Sequence, residues 1–247
     1  MRGEGRTWTK VPIIMGILGL LSFACLGSTR AQPPVKDSGL ITGLEGEVSY
    51  SSGGRSNEFT RAEAFMKVRV GDTLRVEPGG WVRIVFFQGN REELWKGPAV
   101  FKVGETRGEP EAGSLAEAEV TVLPSGASKG IQRVPALLKR AGLSRAGAMQ
   151  VRGGPGAEGT KASGSEAALS AQEQAEIQRA KEIYREMRRR SVADDLTPEL
   201  FLLGVLSDYE QYSEMEVAIA DALSRKPGDV LLEQLAAWVK RQKEGKR

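Results

Sequence analysis

The chain has 247 residues, 40% hydrophobic and 27% charged, with a formal net charge of +3. That length suits one or two globular domains, and the apolar share supports packed cores, which excludes full disorder and a polytopic membrane protein. Histidine is absent, which excludes His-based triads, the common His metal sites and His acid–base chemistry.

An export-type leader is predicted first, over residues 1–31. Arg2, Arg6 and Lys10 make a basic start, Val11 to Gly27 an apolar run, and Ser28-Thr29-Arg30-Ala31 a small-residue approach to a cut after Ala31. The apolar run is short beside the ~20 residues of a membrane span. Cleavage is therefore expected, with retention as a single-span anchor or acylation at Cys25 as the alternatives. Cys25 is the one cysteine, so a chain cut after Ala31 has no disulfide, thiolate nucleophile or Cys-ligated zinc. Four basic residues and one acidic residue lie in the leader, and without them positive and negative charges balance. Nucleic acid is accordingly not an expected partner, and a membrane is one only if the leader is retained.

Gln32 to Asp37, with paired prolines, reads as a spacer. From about Leu40 to Gly104 the pattern is that of β-structure. Glu45 to Tyr50 and Thr73 to Val76 alternate polar and apolar residues, as half-buried strands do. Glu77-Pro78-Gly79-Gly80 is a tight turn. Trp81 to Phe87 is the strongest strand. Val82, Ile84 and Phe86 share one face, and Trp81, Val85 and Phe87 the other, interrupted by Arg83; such a strand is expected to be central and covered on both sides. Gly89-Asn90 supplies a hairpin turn, the chain returns through Glu92 to Trp95, and Ala99 to Val103 is a further strand. Glu105 to Gly113 reads as a loop, Glu119 to Leu123 as a short strand and Val134 to Ala141 as one or two helical turns. Met149 to Gly153 is a candidate last strand, and the Gly-rich stretch after it a flexible linker over 154–169.

Residues 170–247 read as helical. Ser170 and Glu173 form a capping box ahead of Ile177, Ala180, Tyr184 and Met187 at helical spacing. Thr197-Pro198 marks a second start, with Thr197 as cap and Pro198 at the first helical position, followed by Phe201, Leu202, Val205, Leu206 and Tyr209 as one apolar face. A third helix is predicted over about 213–224 and a fourth after Asp229. The fold class is thus an all-β domain of short antiparallel strands, a sandwich or roll over 38–153, followed by a small all-α helical-hairpin domain over 170–247.

Gly43 to Tyr50, Val70-Gly71-Asp72-Thr73-Leu74, Trp81 to Phe86 and Leu94 to Val103, in that order, resemble the FecR-like domain, and Met149-Gln150-Val151-Arg152-Gly153 resembles a further strand of such proteins. The resemblance implies a sensing or scaffolding module of the bacterial envelope. Ten residues precede the apolar run, too few to fold a sigma-factor-binding segment, so a direct anti-sigma role is not expected. Leu202, Tyr212, Ala222, Leu223 and Pro227 fall on tetratricopeptide-type spacing, with a plain four-helix bundle as the alternative.

Carboxylate pairs stand at Glu92-Glu93 and Asp194-Asp195. Strand neighbours point to opposite faces, so the first pair cannot share a substrate; the second precedes a helix and complements its dipole. Both are expected at the surface. Ser125 to Lys129 lies in a loop without Ser-x-x-Lys pairing, and Gly153-Gly154-Pro155-Gly156 lacks the residues of a phosphate loop. Trp81, Arg83, Phe87 and Trp95 form a candidate interaction surface, weighed against a place in the core. Tyr209 and Tyr212 are candidates for lining a helical groove. No catalytic, cofactor or metal residue is expected. The sequence therefore points to a non-enzymatic periplasmic protein that binds an envelope protein or cell-wall polymer. A membrane-anchored regulator and a carboxylate-dependent cell-wall enzyme are the alternatives.

Overall fold

The alternating segments of the first half close into two antiparallel sheets. In this computed structural model the described residues are 36–53, 58–112, 116–143 and 169–245. The leader, the strand expected at Met149 to Gly153 and the linker before Leu169 lie outside them. The strands are β1 (Asp37–Glu45), β2 (Val48–Ser51), β3 (Thr60–Arg61), β4 (Lys67–Arg69), β5 (Thr73–Val76), β6 (Trp81–Phe86), β7 (Arg91–Lys96), β8 (Ala99–Val103), β9 (Gly108–Pro110) and β10 (Glu119–Val122). One sheet has the order β10-β7-β6-β1-β4 and the other β3-β2-β5-β8-β9.

Three expectations are corrected along the way. The strand read over 45–50 is the end of β1, a turn at Gly46 and the start of β2. Gly46 has φ +75°, and a Cβ there would stand 2.7 Å from Gly80 Cα, so only glycine fits. β1 in turn begins at Asp37, inside the expected spacer. Its adjacent Leu40 and Ile41 conceal the alternation, because both faces of this strand are covered. The loop read over 105–113 contains β9, which pairs with β8.

The sheets pack face to face. Ile41, Val82, Ile84, Phe86 and Trp95 of the first meet Val48, Leu74, Val76, Phe101 and Val103 of the second. Trp95 stacks on Phe101 with ring centroids 4.0 Å apart and planes 9° from parallel. Fully burying one such ring is worth roughly 2–3 kcal/mol. The central position expected for Trp81 to Phe87 is observed: β6 lies between β1 and β7.

The outer face of the β6 sheet carries the helices: α1 (Ala127–Ile131), α2 (Val134–Arg140), α3 (Ala171–Arg190), α4 (Thr197–Asp208), α5 (Tyr212–Arg225) and α6 (Val230–Gly245). Leu40 and Val85 of the sheet belong to the same apolar cluster as Ile131, Leu137, Leu200, Phe201 and Leu203. The described residues form three layers, sheet on sheet on helices, and all fall in one unit, Pro34–Arg247. The turn read as a loop at 125–129 becomes α1, whose Ser128 Oγ donates to Phe86 O at 3.1 Å.

α4 is the hub of the helical layer. Of the face read as apolar, Phe201, Leu202, Val205 and Leu206 are buried as expected and Tyr209 half-buried, but Glu199, Leu200 and Leu203 are buried too; every residue from Thr197 to Ser207 is buried. A helix packed against α1, α2, α3 and α5 has no solvent face to spare. Contact with α1 is set by two glycines. A Cβ on Gly204 would lie 2.6 Å from Gly130 O, and one on Gly130 would lie 2.2 Å from the Phe201 ring. From α3 to α6, each helix packs on the next in chain order. The capping box at α3 is present, Ser170 Oγ accepting from Glu173 N–H at 3.3 Å and Glu173 Oε2 accepting from Ser170 N–H at 2.9 Å. The start of α4 differs from expectation. Thr197 is its first residue, and the capping oxygen comes from Asp195, whose Oδ1 accepts Thr197 N–H at 2.9 Å.

Candidate functional site

Strand alternation sorts the charged residues of β6 and β7 onto two faces. Val85 stands opposite Glu92 and Arg83 opposite Leu94, on the helix side; Ile84 stands opposite Glu93 and Val82 opposite Trp95, on the sandwich side. The surface placement expected for Glu92-Glu93 is therefore overturned. Each carboxylate enters a different core and is neutralised there.

On the sandwich side, Glu93 is fully buried. Its Oε2 accepts from Trp95 Nε1 and from Gly108 N–H, both at 2.9 Å, while Arg91 Nη2 lies 2.8 Å from Oε1. On the helix side, Arg83 Nη1 donates to Asp195 Oδ1 at 3.0 Å, and its Nε lies 3.5 Å from Glu92 Oε1. Thr197 Oγ1 donates to Thr42 Oγ1 at 3.1 Å across the same seam. Asp195 is buried too, so the surface role expected for Asp194-Asp195 holds for Asp194 alone. Burial pushes the Glu92 carboxyl up to about 7; the Asp195 charge adds to this and Arg83 opposes it.

A fourth buried carboxylate lies within the helical layer. Glu199 has no exposed surface and receives Arg188 Nη1 at 3.2 Å, Arg225 Nη2 and the Tyr184 hydroxyl at 3.2 Å. Arg188 also donates to Asp195 O at 2.7 Å, which links the two clusters. Arginine forks suit this work, because one guanidinium reaches several acceptors in fixed geometry.

Of the six candidate interaction residues, two belong to the interior. Trp95 is 1% exposed and Arg83 8%, so neither forms a surface patch. Trp81 is half-buried; its Nε1 donates to Glu45 Oε2 at 3.0 Å, and the Arg83 guanidinium lies 5.4 Å from its ring. Phe87 is half-buried just beyond the other end of β6, roughly 20 Å along the strand from Trp81. Tyr209 and Tyr212 are half-buried near the α4–α5 turn. The Tyr209 hydroxyl donates to Glu176 Oε2 at 2.7 Å, and burial together with that carboxylate pushes it up to about 12. Tyr212 meets Trp238 edge-on, centroids 5.7 Å apart. The structure thus brings together Arg83, Glu92 and Asp195, and leaves the aromatic candidates dispersed.

Phe87 lines an open cleft of about 310 Å³ with Lys36, Asp37, Lys67, Gln88 and Gln132. Lys67 Nζ is 2.8 Å from Asp37 Oδ2, and Lys36 Nζ is 2.8 Å from Glu105 Oε1, holding that carboxyl below its usual range. One aromatic edge beside ammonium, carboxylate and amide groups can hold a polar ligand by hydrogen bonds; the lining contains no hydroxyl or thiol to act as a nucleophile. The cleft joins β1, β4, the β6–β7 turn and the α1–α2 turn, which sequence spacing alone does not bring together. The buried cluster did have a sequence signal. An arginine interrupting a strand apolar on both faces has to find a buried carboxylate.

Among the described residues, no group of three or more His, Cys, Asp or Glu side chains is placed to hold a metal ion, and no helix is long and apolar enough to cross a membrane. No family model, curated protein or solved structure matches the chain.

Proposed function

We propose that this is an exported protein of the bacterial envelope that works as a non-catalytic docking module of FecR-like type, presenting fixed surfaces to an envelope protein or a cell-wall polymer. The observation behind this reading is the use made of the acidic side chains. Of the buried carboxylates among the described residues, Glu92, Glu93 and Asp195 each contact an arginine at a seam between layers, Glu199 contacts two within the helical layer, and Asp72 accepts from the N–H groups of Gly53 and Arg69. Groups engaged in this way hold the layers in one arrangement and are withdrawn from solvent. Support for the envelope comes from the leader-like start and from the order of motifs that resembles the FecR-like domain. The chain-order packing of α3 to α6 agrees with a repeat-like helical segment. The cleft at Phe87 is the proposed contact for a polar group of the partner.

The test uses the chain lacking residues 1–31 and purified cell-wall sacculi. Co-sedimentation with sacculi, or with a defined envelope protein, weakened by Phe87→Ala and unaccompanied by release of soluble fragments, is the expected result. Release of fragments that stops when a single acidic residue is changed would overturn the reading.

A further inference from the structure

Among the described residues the two sheets offer four outer strands, and three of them are blunted against further pairing. β3 is two residues long, β9 ends in Pro110, and β4 is Lys67-Val68-Arg69, with both basic side chains drawn to Asp37. β10 is different. Its sequence Glu119-Val120-Thr121-Val122 contains three successive β-branched residues, no proline and no basic residue, and all four positions are exposed. Val120 is 47% and Val122 69% exposed.

The pairing with β7 fixes which backbone groups of β10 face outward. Leu123 N–H donates to Asn90 O at 2.8 Å, and in the same register Thr121 stands opposite Glu92. By antiparallel alternation Thr121 and Leu123 turn their N–H and C=O groups to β7, while Val120 and Val122 turn theirs away from it. The residues with outward-facing backbone groups are therefore the two with the exposed apolar side chains.

We propose that β10 is a self-association edge, taken up by β10 of a second copy of this chain in antiparallel pairing centred on Thr121. In that register Val120 pairs with the second copy's Val122 and the reverse, giving four backbone hydrogen bonds. The four valines gather on one face of the joined sheet, and the two threonines meet on the other. The arrangement is self-complementary, as a two-fold interface requires. The two Glu119 residues fall at opposite ends of the pair, so no like charges meet, and each keeps Lys96 at 2.6 Å on its own sheet. This proposal stands independently of the one for the cleft.

Sedimentation velocity of the purified chain should show a concentration-dependent dimer. Val122→Lys should raise its dissociation constant roughly tenfold or more while leaving the far-UV circular dichroism unchanged. In a Cys25→Ser background, Thr121→Cys should give a disulfide-linked dimer under mild oxidation, because non-hydrogen-bonded partners stand about 4.5 Å apart at Cα. Glu119→Cys, which faces Leu123 of the second copy in this register, should not. A monomer at every concentration, a dimer indifferent to Val122→Lys, or equal crosslinking of the two thiols would overturn the proposal. So would β10 amides protected from hydrogen exchange only when a different protein is added.

Discussion

Replacing Glu92 by Gln should reduce the stability the protein loses as pH rises from 4.5 past neutrality. The carboxyl sits against Arg83 and Asp195 beneath the helical layer and is pushed up from its ordinary 4.5 to about 7, chiefly by burial. In the unfolded chain it releases its proton near its ordinary value. Between pH 4.5 and about 7 the native state holds a proton that the unfolded state has lost. Stability from this group is therefore full below pH 4.5, falls as pH rises through that window and is level above it. At about 1.4 kcal/mol per unit, the whole fall is of order 3 kcal/mol. Glutamine keeps the shape of the neutral acid and cannot ionise. The comparison is a double difference: urea unfolding of both proteins at pH 4.5 and pH 8, followed by tryptophan fluorescence. Subtraction cancels whatever the substitution does independently of charge. The variant should gain about 1–3 kcal/mol over the parent between the two pH values. A gain below about 0.5 kcal/mol would refute the argument that the buried site disfavours a charged Glu92.

Three further outcomes follow from the packing. Gly204→Ala presses a methyl group onto the Gly130 carbonyl, a backbone atom that cannot swing away; about 1–3 kcal/mol of stability should be lost, a drop of several degrees in Tm by calorimetry. Trp95→Ala empties the stack on Phe101 and removes one of the donors to buried Glu93, so chemical denaturation should show a loss of about 3–5 kcal/mol, against about 1 kcal/mol for half-exposed Trp81→Ala. Glu199→Ala leaves Arg188 and Arg225 facing each other without their shared carboxylate, at a cost of about 3–5 kcal/mol in the same assay.

Local rules read well where one face of an element meets one neighbour. Thr73 to Val76, the turn at Gly79 and the capping box at Ser170 all stand where residue spacing puts them, because each is decided within a few residues. The order of fold classes, strands and then helices, is likewise as the spacing implies. The misreadings of buried residues share one cause. β1, α4 and the carboxylates at 92, 93 and 195 are all covered on more than one side, and periodicity records only the contrast between a wet and a dry face. Glu199 shows this sharply: nothing local marks it as buried, since its partners come from α3 and α5. Of the candidate site, Phe87 was visible as a large apolar residue, but the cleft beside it unites four segments between 36 and 132 in the chain. Arg83 stands out in the sequence as an interruption of an apolar strand, but its partner Asp195 lies 112 residues away.

The shared apolar cluster that runs from Leu40 and Val85 into α4 has a consequence for how this chain can be divided. A fragment ending at residue 153 keeps its sandwich but leaves Ile131, Leu137 and the outer sheet wet, and should be sticky during synthesis until the last hundred residues emerge from the ribosome. The helices are equally ill suited to life as a transplantable cassette, because α4 would carry into water the apolar side chains it packs against α1 and α2. Gene fusions or domain shuffling that separate the two halves should yield insoluble products, whereas those that move both together should yield a folded one.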